Sequence, residues 1–167
     1  GVGPAPNDPS APAFSLIADG EGGGGQGAQQ LVTFSDYNNG DHGVGNLIET
    51  NIFQEQVIGL ADDGTTWIFN FEAKRGDLGG ASTAFAFIKT LDPNNGYATT
   101  NFLTEEMTTI PTTWGAVQVS IDINAGLVGQ ILQIGFLTNA SNYEPSGIFY
   151  DNVNFVVEGS VPVAPSS

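Results

Sequence analysis

The residues able to do chemistry in this 167-residue chain are overwhelmingly carboxylates: eighteen Asp and Glu stand against three Lys and Arg, one His and no Cys. Without cysteine, neither a thiolate nucleophile, a thiolate metal site nor a disulfide can be built. Hydrolysis by paired carboxylates needs two acids facing one bond. Glu105 and Glu106 are adjacent, so on a strand they point to opposite faces, and Glu49 with Glu55 matches no glycosidase motif. A lyase acting on uronic acids would need cations to neutralise the substrate carboxylate, plus a Tyr or His base. Lys74, Arg75, Lys89 and His42 are the whole supply. No nucleophile elbow accompanies His42, so a Ser-His-Asp arrangement has no scaffold. Catalysis is not expected. One acid stands apart. In Gly147-Ile148-Phe149-Tyr150-Asp151-Asn152-Val153-Asn154-Phe155, the period of two puts Phe149, Val153 and Phe155 on one side and Tyr150, Asn152 and Asn154 on the other. Asp151 falls on the oily side. Burying a bare charge costs several kcal/mol or more, so Asp151 must be neutralised or coordinated; a carboxylate hydrogen-bonded at a strand end is the plain alternative.

The elements that must position these groups read as strands. Phe14 to Ile17 and Leu31 to Phe34 are short strands separated by a glycine-rich run, Asp19-Gly20-Glu21-Gly22-Gly23-Gly24-Gly25. Asp36-Tyr37-Asn38-Asn39-Gly40-Asp41 is rich in oxygen but lacks the complete EF-hand pattern and its distal Glu, and reads as an Asx-type turn. Asn51 to Leu60 alternates as a strand, with helix as the other reading. In Thr65 to Lys74, Trp67, Phe69, Phe71 and Ala73 face one way and Ile68, Asn70, Glu72 and Lys74 the other. Ser82 to Leu91 sets Phe85 and Phe87 against Ala84, Ala86 and Ile88. Tyr97 to Leu103, Val117 to Ile123 and Leu132 to Leu137 follow. Phe69, Phe71, Phe85, Phe87, Phe136 and Phe155 are the expected core. Eight to ten strands at these spacings, with no convincing helix, predict an all-β fold, a two-sheet antiparallel β-sandwich of the jelly-roll type.

Length favours one domain. We divide the chain into a Pro-rich linker over 1–13, the sandwich over 14–158 and a C-terminal linker over 159–167, ordinary frayed termini being the alternative for both ends. A net charge of −15 repels phosphate backbones, anionic lipid and polyanionic glycans, so neither nucleic acid nor membrane is an expected partner. No apolar run is long enough to span a bilayer and no basic-then-apolar leader opens the chain. High Gly, Asn and Thr with few Lys suggest a secreted bacterial protein, from salt water; a monomer is expected. Arg75-Gly76-Asp77 reads as a turn after a strand, and Asn139-Ala140-Ser141 is a glycosylation sequon only in a host that glycosylates.

Four stretches together resemble the calcium-binding β-jelly-roll carbohydrate-binding modules, the group containing families 4, 9 and 22. Phe149-Tyr150-Asp151-Asn152-Val153 is similar to their last strand, and Gly64-Thr65-Thr66-Trp67-Ile68-Phe69-Asn70-Phe71-Glu72-Ala73-Lys74 to a Gly-x-x-aromatic-x-Phe-x-Phe-x-Ala-Lys strand. Thr112-Thr113-Trp114 with Val117 to Ile123, and Ser15 to Glu21, match more loosely. The resemblance implies a structural Ca2+ held by Glu21 and Asp151, clipping the first strand to the last, and a non-catalytic module that binds a polysaccharide. In that group such a module is joined to a glycoside hydrolase and holds it at its substrate. A neutral β-glucan, β-1,3-linked in the first instance, suits the negative charge. A structural or adhesive sandwich of a surface protein, stiffened by calcium and binding no sugar, is the alternative.

Sugar recognition needs aromatic faces for the C–H surfaces of a pyranose and planar polar groups for its hydroxyls. Tyr97 and Tyr143, in turns where burial is hard to arrange, are the expected platforms. Trp114 is either a third platform or a plug in the end of the sandwich. Asn70, Gln118, Gln133 and Tyr150 are expected on strand faces turned away from the core, where a glycan chain or plain solvent would meet them.

Overall fold

The computed structural model describes residues 15–35, 45–142 and 144–159. Residues 1–14, the loop over 36–44, Tyr143 and residues 160–167 lie outside it, so the N-terminal linker, the C-terminal linker past Gly159 and the Asx-turn reading of Asp36 to Asp41 fall beyond the described residues. Nine strands carry the fold: β1 Ser15–Asp19, β2 Gln29–Thr33, β3 Ile48–Val57, β4 Thr66–Leu78, β5 Thr83–Asp92, β6 Ala98–Glu106, β7 Gly115–Asp122, β8 Ile131–Ala140 and β9 Ser146–Val157. The helical elements among the described residues are three short 3-10 turns. The strand-or-helix stretch near Asn51 is thus strand. β1-β2-β9-β4-β7 form one sheet and β3-β8-β5-β6 the other, with every pairing among the described residues antiparallel. The expected two-sheet β-sandwich is what forms.

Between the sheets lie Phe69, Phe71 and Ala73 of β4, Ala84, Ala86 and Ile88 of β5, Val119 and Ile121 of β7, Leu132, Ile134 and Phe136 of β8, and Ile148 and Tyr150 of β9. Each large apolar side chain buried there contributes about 1.5–3 kcal/mol relative to exposure. At one end a polar clip joins the sheets: the Ser35 hydroxyl donates to the Thr138 carbonyl at 2.5 Å, and the Ser146 hydroxyl accepts from the Ser35 amide at 2.7 Å.

Two expectations fail here for identifiable reasons. Phe85 and Phe87 are not between the sheets; Ala84, Ala86 and Ile88 are. β5 is apolar on both sides, so its period of two shows which residues share a face but not which face is inside. Small residues fit the interior because the bulky Phe69, Phe71 and Phe136 already fill it, with ring centroids 4.9 to 5.4 Å apart. Phe87 is nonetheless fully buried, on the outer face.

Tyr150 is the second. It is fully buried and stacks on Phe136 at a centroid distance of 3.6 Å, so it belongs to the core and meets no glycan. The cause is a β-bulge. Asn152 takes φ +50°, and the register with β4 shifts between Asn70↔Asn154 and Glu72↔Asp151. One extra residue flips the alternation: even positions point inward before the bulge, as Ile148 and Tyr150 do, and Phe155 points inward after it. Asp151 is therefore on the outer side, opposite Glu72, not on the oily side of a continuous strand.

Candidate functional site

The outer face of the four-stranded sheet is built in rows by its register. One row reads Glu55, Gln133, Lys89, Phe102; the next reads Phe53, Gly135, Phe87, Thr104; a third reads Asn51, Leu137, Phe85, Glu106. Phe53 on one edge strand is 46% exposed and Phe102 on the other is 49% exposed. Large aromatics left in water at both rims of one face are unusual enough to carry meaning. Gly135 makes the centre possible: a Cβ there would lie 2.2 Å from the Ile52 carbonyl oxygen and 2.9 Å from the Phe53 Cβ, so only glycine lets β3 approach and leaves the middle of the row without a side chain.

Between the aromatics runs a polar line. The Gln133 amide donates to the Glu55 carboxylate at 2.9 Å. The Lys89 ammonium stands 5.2 Å from the Phe87 ring centre and 5.3 Å from that of Phe102, within cation–π range. A carboxylate, an amide and an ammonium in one row, flanked by aromatic rings, supply acceptors and donors in a plane beside an apolar surface, which is what a hydroxylated ring needs.

The opposite outer face, that of the five-stranded sheet, is covered by the turn between β1 and β2. Gln26 donates to Glu72 at 2.7 Å, and the Asn152 amide donates both to the same Glu72 oxygen and to the Gly25 carbonyl. These hydrogen bonds, Gln26 first and then Asn152, hold the Glu72 carboxyl below the usual carboxylate range, with burial opposing slightly. Gln30, fully buried, donates to the carbonyls of Gln26 at 2.9 Å and Gly27 at 3.2 Å, and lies 3.5 Å from Asp151. Its own carbonyl oxygen is buried without a partner. The Asp151 carboxylate accepts from the Asn152 backbone N–H at 2.6 Å.

The sequence-derived residues are scattered across these two faces. Gln133 alone lies in the polar row of the four-stranded sheet. Asn70 and Gln118 face each other across β4 and β7 on the other outer face. Tyr97 is 60% exposed at the β5–β6 hairpin, with φ +61°. Tyr143 lies outside the described residues. Trp114 is half-buried and committed: its indole N–H donates to the Glu21 carbonyl at 3.0 Å and its ring faces the Lys74 ammonium at 5.5 Å, so it pins the glycine-rich turn. The Glu21 carboxylate is paired with Lys74 at 2.7 Å. Among the described residues no three acidic or histidine side chains converge as a metal cluster. Around Asp151 stand Glu72, its register partner on β4, and the Gln30 side-chain amide, which turns its nitrogen toward Asp151 and the turn carbonyls. Phe53 and Phe102 carry no signal in the sequence, and Lys89 and Glu55 enter it only as candidates for catalysis, not as ligand contacts. Edge placement exposes the two rings, and nothing short of the sheet order announces which strands are edges.

No family model matches the chain and no curated protein matches it in sequence. Solved structures do. A tailspike protein of bacteriophage CBA120, described as its enzymatically active domain, superposes with TM-score 0.58 at 14% identity, over 89% of this chain and 18% of that one. A family 16 carbohydrate-binding module superposes with TM-score 0.52 at 12% identity, over 88% and 86%. The joined family 22 binding module and catalytic module of Clostridium thermocellum xylanase 10B, complexed with xylohexaose, gives TM-score 0.52 at 13% identity, over 92% of this chain and 26% of that one. The fold is a β-sandwich, as in these structures. Such modules recur among the matches and enzymes stand beside them, so the likeness establishes architecture and leaves chemistry to the residues.

Proposed function

We propose that this chain is a non-catalytic module that binds a neutral polysaccharide along the outer face of the four-stranded sheet and, in a secreted parent protein, holds an attached glycoside hydrolase at its substrate. The observation that carries this is the pairing of exposed Phe53 and Phe102 with the Glu55–Gln133–Lys89 row between them. Three strand spacings separate β3 from β6, about 14 Å, a width that suits a short run of sugar rings. The mechanism is effective concentration, not bond chemistry. The net charge of −15 disfavours polyanions, so a β-glucan, β-1,3-linked first, is the ligand to try.

Affinity electrophoresis against laminarin, barley β-glucan, xylan and galactan tests the reading. We expect at least one to retard the wild type and Phe53→Ala with Phe102→Ala to abolish the retardation. Passage unhindered through all of them would leave only a structural or adhesive sandwich.

We propose also that Ca2+ stiffens the opposite face, held by Asp151 with Glu72, the Gln30 side-chain carbonyl and carbonyls of the turn. The Gln30 oxygen has no partner where it stands, and a half-turn of that amide would exchange it for the nitrogen that faces Asp151 and the turn carbonyls. Glu21 would contribute its backbone, since Lys74 engages its carboxylate. A bound ion would supply the positive charge that this cluster of oxygens lacks. A ligand present at a hundred times its dissociation constant adds about 2.7 kcal/mol of stability, so a chelator should lower the melting temperature by several degrees; an unchanged melt after exhaustive stripping refutes the site.

A further inference from the structure

We infer that the chain has a second, smaller saccharide subsite: a notch between the two sheets at the β3–β9 edge, sized for one neutral pyranose residue. It goes beyond the outer-face reading and shares only Glu55 with it.

The notch follows from the bulge. β2 pairs with β9 only over Ile148 to Tyr150. Past Asn152, β9 has β4 on one side and, among the described residues, no paired strand on the other. β3 is likewise an edge strand of its own sheet. The two edges leave a cavity of about 210 Å³ lined by Gln54 and Gln56 of β3, Leu132 and Ile134 of β8, and Val153 and Phe155 of β9. Because the bulge has already flipped the alternation, Phe155 points inward, where Trp67 stacks on it at 4.7 Å and 30° and fixes its ring.

The chemistry of the lining is selective. Leu132 and Ile134 give an apolar floor and Phe155 an aromatic wall. Gln54 and Gln56 lie on the same face of β3, opposite Ile134 and Leu132, and neither amide hydrogen-bonds to any described residue. Gln26, Gln29, Gln30, Gln130 and Gln133, by contrast, donate internal hydrogen bonds; Gln118, the other glutamine whose amide is uncommitted, lies on the far sheet away from the notch. A primary amide offers two donors and an acceptor in one plane, matching a pair of neighbouring hydroxyls, while the C–H side of a sugar ring meets the phenyl wall. No Lys or Arg lines the notch and Glu55 does, which excludes an anionic sugar. The volume is below the ~300–1,000 Å³ of pockets for drug-sized ligands and equals about seven waters at ~30 Å³ each, so it admits one ring. Opening at a strand edge, the notch takes the terminal or branching residue of a chain and not its middle.

Two-dimensional 15N NMR reports directly on the side-chain amides of Gln54 and Gln56. Glucose, galactose, xylose and laminaritriose are titrated to tens of millimolar into the wild type, a Gln54→Ala/Gln56→Ala variant and a Phe53→Ala/Phe102→Ala variant. Saturable shifts of both amides with at least one sugar, lost tenfold or more in affinity in the glutamine variant and retained in the phenylalanine variant, are expected. Absence of saturable shifts with all four sugars, or affinity within twofold of wild type in the glutamine variant, overturns the inference. Shifts confined to the notch, with the phenylalanine variant binding every glycan as wild type does, would overturn the outer-face reading and leave the notch standing.

Discussion

Replacing Tyr150 by Phe removes one oxygen from a ring that has no exposed surface and stacks on Phe136. The phenol oxygen is buried without a well-formed hydrogen bond. Thr33 is the polar neighbour that acts on it, yet the Thr33 hydroxyl is engaged with Thr138 at 3.2 Å. Burial therefore pushes the phenol far above its ordinary value, Thr33 offsetting only part. The sign of the pH effect follows. The unfolded chain loses this proton near pH ~10 and the folded chain does not, so the contribution of the neutral phenol is complete below that pH and is lost above it. The loss is about 1.4 kcal/mol at pH 11 and about 2.7 kcal/mol at pH 12. Tyr150→Phe has no such proton. Near neutrality the variant should be as stable as wild type or more so, because an unsatisfied buried hydroxyl costs ~1–3 kcal/mol. Urea unfolding of both proteins at pH 8 and pH 11 measures this: the gap should widen in favour of the variant by about 1.4 kcal/mol, and other titrating groups cancel in the difference. Glycan retardation should not change at either pH. Parallel stability curves, or a variant weakened by more than ~1.5 kcal/mol at pH 8, a full hydrogen bond's worth, would refute the account of a dry, unpaired phenol.

Gly135→Ala should cost at least ~1–3 kcal/mol in chemical denaturation, the usual range for overpacking, because its Cβ would meet the immobile Ile52 carbonyl; it should also abolish glycan retardation by pushing β3 off β8. Phe53→Ala and Phe102→Ala singly should leave stability within ~0.5 kcal/mol, since each ring is about half in water, while lowering glycan affinity roughly tenfold, about 1.4 kcal/mol; calorimetric titration separates the two effects. Glu72 has its folded pKa lowered by Gln26 and Asn152, so its contribution is present above the unfolded value and fades as pH falls through the folded one. Measured in chelator so that no cation contributes, Glu72→Gln should flatten the acid limb of the stability profile below pH ~4.5, and an acid limb as steep as that of wild type would remove the hydrogen bonds from the explanation.

The parts of the fold legible in the sequence are those where one face of a strand is oily and the other wet. β4 and β7 are of that kind, and Phe69, Phe71, Val119 and Ile121 point where their spacing says. β5 defeats the same reasoning because Phe85 and Phe87 compete with Ala84, Ala86 and Ile88, and hydrophobicity alone ranks the phenylalanines inside. The interior selects by volume instead. β9 defeats it differently: a single left-handed residue, Asn152, changes the parity halfway along, so Phe155 is read correctly, Tyr150 is placed on the wrong face and Asp151 is assigned a burial it does not have. Of the polar candidates only Gln133 sits in the row that faces the proposed ligand. Asn70 and Gln118 obey the same alternation on the other sheet, and alternation carries no information about which sheet a strand joins. Turns are where sequence places exposed aromatics such as Tyr97, whereas Phe53 and Phe102 stand on edge strands.

The scarcity of basic residues has a practical sequel. Lys74, Arg75 and Lys89 are the only Lys or Arg in the chain, and all three sit in β4 and β5, each strand flanked by a neighbour on both sides. A protease that cuts after basic residues must bind an extended stretch, so it cannot work on either strand until the sheets part. Trypsin thus finds no site in any described loop, and the rate of the first cut becomes a clock for opening of the whole sandwich, readable on a gel without any label.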